Sequence, residues 1–193
     1  MCVVKLYLVF YIFIIGVIFP NYSYCSEKNE EDFSEQSNLN VEDKESFNAI
    51  LSQAQLWVKQ QEEKFSHSGR QLSIQEFFMA KAMGVQYPEQ VRVVVIADFP
   101  IPTQQPLLNE YKNIGFTSPE VGGQAFGYTI LIKPRYAGKD WLLLHELVHV
   151  AQFERIGIKR FVARYLTELK TLGYRDSLIE IEAREKSQSY ISG

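Results

Sequence analysis

The stretch Leu142-Leu143-Leu144-His145-Glu146-Leu147-Val148-His149-Val150-Ala151-Gln152 decides how the rest of the chain is read. It holds two of the protein's three histidines, in a His-Glu-x-x-His pattern. On an α-helix, residues four apart share one face and stand about 6 Å apart along the axis. Two imidazoles so placed can each bond a single zinc ion at about 2.0–2.1 Å. Glu146 follows the first of them and can reach a metal-bound water without being a ligand itself. Zinc lowers the pKa of such a water toward about 7, and a carboxylate beside it can take the proton. The two x positions and the residues immediately outside the histidines are uncharged and mostly apolar, so the helix reads as buried. Three polar side chains in a buried helix need partners, because each left unpaired costs about 1–3 kcal/mol.

The chain has 193 residues, 46% hydrophobic and 13% aromatic, which fits one globular domain with an appendage at its front. Lys5 precedes an unbroken non-polar run from Leu6 to Pro20, followed by Asn21-Tyr22-Ser23-Tyr24-Cys25-Ser26. A positive start, a short apolar core and small residues at Ser23 and Cys25 read as a secretory signal peptide spanning residues 1–25. The alternative is an uncleaved membrane anchor through residues 3–20, although spanning a bilayer usually takes about 20 apolar residues. Cleavage after Cys25 removes both cysteines, Cys2 and Cys25, so the exported domain has no thiolate for catalysis or soft-metal ligation. Residues 26–45 carry the eight acidic residues of the segment Glu27–Glu45 against Lys28 and Lys44, and read as a disordered acidic linker. Past residue 45 the domain has 15 acidic and 17 basic residues. That balance gives no basic face for nucleic acid.

Within residues 46–193 the periodicities are mostly helical. Phe47, Ile50, Leu51, Ala54, Trp57 and Val58 predict an amphipathic helix ending near Gly69. Ser73 and Glu76 form a Ser-x-x-Glu capping box for a second helix that stops at Gly84. His67 falls in the loop between them and reads as a solvent histidine. Val91 to Ala97 is a β-branched, apolar strand, and Leu107 to Asn113 a short helix. Gly122-Gly123-Gln124-Ala125-Phe126-Gly127 leads into a further strand, Tyr128 to Lys133. Two readings of this stretch stand side by side: an edge strand against which an extended peptide lies, or an ordinary hairpin with glycines for its turns. Asp140 is expected to cap the metal helix, which runs to about Arg155 and stops at Gly157. Phe161, Val162, Tyr165, Leu166, Leu169 and Leu172 predict the next helix, and a last one runs from Leu178 to about Tyr190.

A catalytic zinc usually takes three protein ligands and keeps one position open. No third histidine follows His149, so a carboxylate must serve, and the last helix offers Glu180-Ile181-Glu182-Ala183-Arg184-Glu185. His145-Glu146-x-x-His149 followed 31 residues later by Glu180-x-x-Ala183 resembles the gluzincin metallopeptidases, whose third ligand is a glutamate from a later helix. More narrowly, it is similar to small bacterial domains with a His-Glu-Leu-x-His-x-x-Gln helix and a later Glu-x-Glu-Ala helix. The resemblance covers roughly residues 90–190. It implies His145, His149 and Glu180 as zinc ligands and Glu146 as general base. Ser177 and Glu180 also spell a capping box, which would engage Glu180 elsewhere and leave Glu182 as the ligand. Small Ala183 on the same face favours Glu180, since it permits close helix approach. Where many gluzincins carry an acidic residue four after the ligand glutamate, this chain has Arg184. Asp176 stands in as the acceptor for a metal-bound histidine, and Tyr174 or Arg175 as the donor to an oxyanion.

The expectation is thus an α+β, zincin-like domain with its active-site helix on a small sheet and further helices behind. It is expected to be a Zn2+-dependent hydrolase of peptide or protein substrates, secreted or periplasmic, or held at a membrane by its N-terminal run. The competing expectation is a zinc-containing envelope domain that binds without cutting.

Overall fold

The apolar stripe from Phe47 to Val58 is realised as helix α1 (Val41–Ser66) in the computed structural model, which describes residues 41–193. Ile50 and Ala54 are buried on its inner face. The helix begins within the segment expected to be linker, so Val41 to Glu45 belong to α1. The expected signal peptide or anchor (1–25) and residues 26–40 of the acidic linker lie outside the described residues. Among the described residues, no helix is long and apolar enough to cross a membrane.

Helix α2 (Ile74–Ala82) starts as the capping box requires: Glu76 N donates to Ser73 Oγ at 3.2 Å and Ser73 N to Glu76 Oε2 at 2.7 Å. The same carboxylate holds Arg70 through two bonds of 2.6 and 2.7 Å. Strand β1 (Arg92–Val95), helix α3 (Leu107–Asn113), strand β2 (Gly123–Phe126) and strand β3 (Thr129–Ile132) follow. The sheet order is β1-β3-β2, with Val93 opposite Ile130 in the parallel pair and Ala125 opposite Ile130 in the antiparallel one. Every residue of central β3 is buried, as expected of a strand covered on both faces. The two readings of the glycine-rich stretch prove compatible: β2 and β3 form a hairpin, and β2 is also the sheet's edge. At the turn, Gly127 has φ +58, and Glu62 of α1 fills the space a side chain would need. There Glu62 Oε1 accepts a bond of 2.8 Å from Tyr128 N.

Helix α4 (Asp140–Thr171) carries the metal motif and breaks where expected, at Gly157, whose φ of 77° and ψ of 151° are not helical. The expected cap is displaced by one residue. Lys139 is the N-cap, without a side-chain bond, and Asp140 is the first helical residue, where its charge faces the dipole rather than a backbone N–H. A four-residue turn, α5 (Gly173–Asp176), joins it to α6 (Leu178–Ser192). One apolar cluster packs the first half of α4 on the sheet through Leu143, Leu144, Leu147, Val148, Ile130 and Val93. A second joins α1, the second half of α4 and Ile179 of α6. The architecture is α+β, a small mixed sheet backed by helices.

What sets α6 against α4 is a buried polar joint. Glu168 Oε2 accepts from Ser177 Oγ at 2.8 Å and from Ile179 N at 3.0 Å, and Glu168 Oε1 accepts from Arg164 Nε at 2.6 Å. Burial opposes ionisation there, but these donors outweigh it and hold Glu168 below the usual carboxylate range. Glu168→Ala would leave a hydroxyl and a helix N–H without their acceptor. We expect it to destabilise the fold by about 2–3 kcal/mol, read as a lower denaturation midpoint.

Candidate metal centre

Four residues apart on the first half of α4, His145 and His149 turn their Nε2 atoms toward each other at 3.1 Å. The reversal at Gly157 and the Glu168 joint bring α6 across them, and Glu180 enters from that helix. Its Oε2 lies 3.3 Å from His145 Nε2 and its Oε1 3.4 Å from His149 Nε2. Four ligands at zinc bond lengths of about 2.0–2.1 Å define a tetrahedron with edges of about 3.3–3.4 Å. The three observed separations are close to those of a zinc site. The carboxylate of Glu180 is 1% exposed, and its Oε2 is buried without any hydrogen-bond partner. A buried orphan carboxylate oxygen facing two imidazoles is costly unless a cation or proton completes it. The donor set therefore fits a divalent metal.

The tautomer of His149 follows from its neighbours. Gln152 Nε2 donates to Ile179 O and to Glu182 Oε2, both at 3.0 Å, which leaves its Oε1 as the acceptor 2.8 Å from His149 Nδ1. The proton of the neutral ring then sits on Nδ1 and the lone pair of Nε2 faces Glu180. Glu182 is clamped by Arg155 through bonds of 2.9 and 2.8 Å. These contacts place three residues for which the sequence left alternatives open. Glu182 anchors Gln152 and stands outside the cluster that converges on the histidines, which is His145, His149 and Glu180. Asp176 is exposed on α5, and the acceptor on a histidine is Gln152 instead. The capping box at Ser177 is only half formed. Glu180 N donates to Ser177 Oγ at 3.4 Å, while the Glu180 side chain turns to the histidines.

Glu146 is buried, and its carboxylate lies against the sheet edge at Gly123. A side chain at Gly123 of β2 would meet Glu146 Oε1 at 2.5 Å, so β2 can pass this close only because that position is glycine. Desolvation raises the Glu146 carboxyl above its usual range and Glu180 adds to the rise, against a lowering by the two histidines. A carboxylate so placed is a stronger base than one in water. For His149, burial works against the charged ring, but hydrogen bonding and charge from Glu180, with the charge of Glu146, raise it to about 9. The same histidines outweigh burial at Glu180 and hold it far below the carboxylate range.

Of the two residues expected near an oxyanion, Tyr174 approaches the cluster. Its ring is half-exposed, and burial together with the Glu180 carboxylate raises its hydroxyl above the usual value. Arg175 is exposed, and its carbonyl accepts a bond from Arg184. Arg184 also lies 4.0 Å from Glu180 Oε2, with its guanidinium 5.9 Å from the centre of the Tyr174 ring. The basic residue at this position is thus turned to the Glu180 carboxylate, and the acceptor for a histidine is Gln152.

Comparison with known proteins finds no matching family model, no matching curated protein and no matching solved structure. The chemistry of the cluster is therefore argued from its own atoms.

Sequence reasoning left three residues of the site without a role. Gln152 was on the page as the third residue after His149 and needed only a buried amide's demand for partners. Tyr165 was absorbed in the apolar stripe of its helix. Glu168 showed locally only the i,i+4 spacing to Arg164, while the partners that tie it to α6 lie 9 and 11 residues ahead.

Proposed function

We propose that this protein is a zincin-like, zinc-dependent metallopeptidase, with His145, His149 and Glu180 as ligands and Glu146 as general base. The observation that carries it is the buried, partnerless Glu180 Oε2, brought from a separate helix to the two histidines at tetrahedral spacing. Zinc at these ligands supplies Lewis acidity that polarises a carbonyl and acidifies water. Glu146, adjacent to the first ligand but rotated by about 100° around the helix, takes the proton of the attacking water. The same carboxyl then returns it to the leaving amine. Tyr174 supplies a hydroxyl donor beside the cluster for the oxyanion of the tetrahedral stage. Edge strand β2, lying directly on Glu146 at Gly123, offers free backbone donors and acceptors on which an extended peptide can pair and pass the base.

The sequence pattern of residues 1–25 supports an exported protein, secreted or periplasmic, acting on a peptide or protein substrate. The test is a mixed peptide library incubated with the purified protein, with and without a chelator. Zinc-dependent cleavage, restored on adding zinc back, supports the reading. A protein that holds zinc and cuts nothing would be the non-proteolytic binding domain.

Proton competition gives a further expectation. Zinc needs His149 neutral, while Glu180 and Glu146 keep it protonated up to about pH 9. Apparent zinc affinity should therefore rise with pH, by up to about tenfold per unit, and level off near that value. Competition titrations with a chelator of known affinity, from about pH 6 to about pH 10, read this slope.

A further inference from the structure

Tyr165 stands on the second half of α4, beyond the break at Gly157, and its hydroxyl donates to Glu180 Oε1 at 2.6 Å. The ring is held among other rings, with centroids 5.5 Å from Phe161, 6.0 Å from Phe116 and 6.3 Å from His149. Its place is therefore set by packing, and the hydroxyl is the part that acts on the carboxylate. The two oxygens of Glu180 consequently differ. Oε1 carries a short bond from a phenol, and Oε2 is buried with no donor. Both oxygens nonetheless face the imidazoles, at 3.4 and 3.3 Å. A carboxylate presented this way can chelate a metal through two oxygens, which would add a bond beside the one a hydrolytic zinc keeps for water and make the site five-coordinate.

Resting on the metal reading above, we propose that Tyr165 is a positioning residue that restricts Glu180 to one-oxygen ligation and so keeps the metal four-coordinate, with its fourth position left to water. The hydrogen bond draws electron density and one lone-pair direction of Oε1 away from the metal, leaving Oε2 as the ligand atom. The phenol thus bears on what kind of metal site this is. With it, the site has the three-ligand, open character of a catalytic zinc; without it, the second carboxylate oxygen crowds the metal to five-coordinate.

The test replaces zinc with Co2+, whose visible absorption is intense at four-coordinate sites and weak at five- or six-coordinate ones. Wild-type protein is expected to bind one Co2+ with the intense, four-coordinate spectrum. Tyr165→Phe, which keeps the ring, is expected to bind one Co2+ with most of that intensity lost, and to hydrolyse peptide about 10- to 100-fold more slowly. A merely structural role for Tyr165 would lower the melting temperature of the chelator-treated variant and leave the cobalt spectrum as in wild type. That result would overturn the proposal while the metal reading stands. A wild type that binds no cobalt and no zinc would overturn the metal reading and this inference with it. Should Tyr165→Phe not fold, X-ray absorption of zinc-loaded wild type decides instead. Four light-atom neighbours at about 2.0–2.1 Å support one-oxygen ligation, and five or more overturn it.

Discussion

Glu146→Gln is expected to lower peptide hydrolysis by at least about 10²–10⁴-fold while the zinc content stays at the wild-type level. The substitution keeps the shape of the side chain and removes its ability to accept and return a proton. Two features isolate the effect to chemistry. Glu146 stands one residue from His145, so its side chain leaves the helix about 100° away from the ligand direction. It also rests against Gly123, where the sheet edge allows no other side chain, so the amide should occupy the same space. Hydrolysis assays and metal analysis on the same preparation read both quantities. A variant cutting at the wild-type rate would remove Glu146 from the mechanism. One that lost its zinc would make Glu146 part of the metal-holding set.

Glu180→Gln and Glu182→Gln are expected to differ sharply, although the two residues are neighbours but one on the same helix. Glu180 places its carboxylate 3.3 and 3.4 Å from the two histidine nitrogens, and an amide there is a poor zinc ligand. Zinc affinity should fall by well over about 100-fold, beyond what loss of an outer-shell partner costs. Because metal binding stabilises only the folded chain, the zinc-dependent rise in melting temperature should vanish with it. Glu182→Gln weakens the clamp on Arg155 and the seat of Gln152. That is an outer-shell loss, expected to cost zinc affinity about 10-fold, toward the low end of the usual range, because Gln152 keeps its second bond to Ile179 O. Equal losses from the two variants would contradict the assignment.

How much of this was legible in the chain depends on the range of the interaction. The capping box at Ser73, the stop at Gly157 and the apolar run that became β3 are local patterns, and each element forms where the pattern lies. Asp140 misled by one position, because a cap and a first-turn acid look alike when only spacing is known. The start of α1 was set late for a similar reason. Composition marked Val41 to Glu45 as linker, and an acidic stretch that opens a helix has the same composition. The histidine pair was legible because i and i+4 share a helix face whatever the fold around them. Ala183 favoured Glu180 over Glu182 from the sequence, but the turn at Gly173, the Glu168 joint and the rotation of α6 decide which carboxylate meets the histidines. Tyr165 and Gln152 act through atoms brought together by the same packing. A stripe of apolar positions gives no hint of which hydroxyl along it will find a carboxylate.

The most direct test of the central claim is the zinc stoichiometry of the purified protein, measured beside His149→Ala. His149 contributes the Nε2 atom that faces both His145 and Glu180, so its loss leaves two ligands where catalytic zinc sites have three. The account predicts one zinc per wild-type chain, removable by chelator together with peptide hydrolysis, and neither zinc nor hydrolysis in His149→Ala. Wild-type protein that takes up no zinc when it is supplied in excess would contradict it.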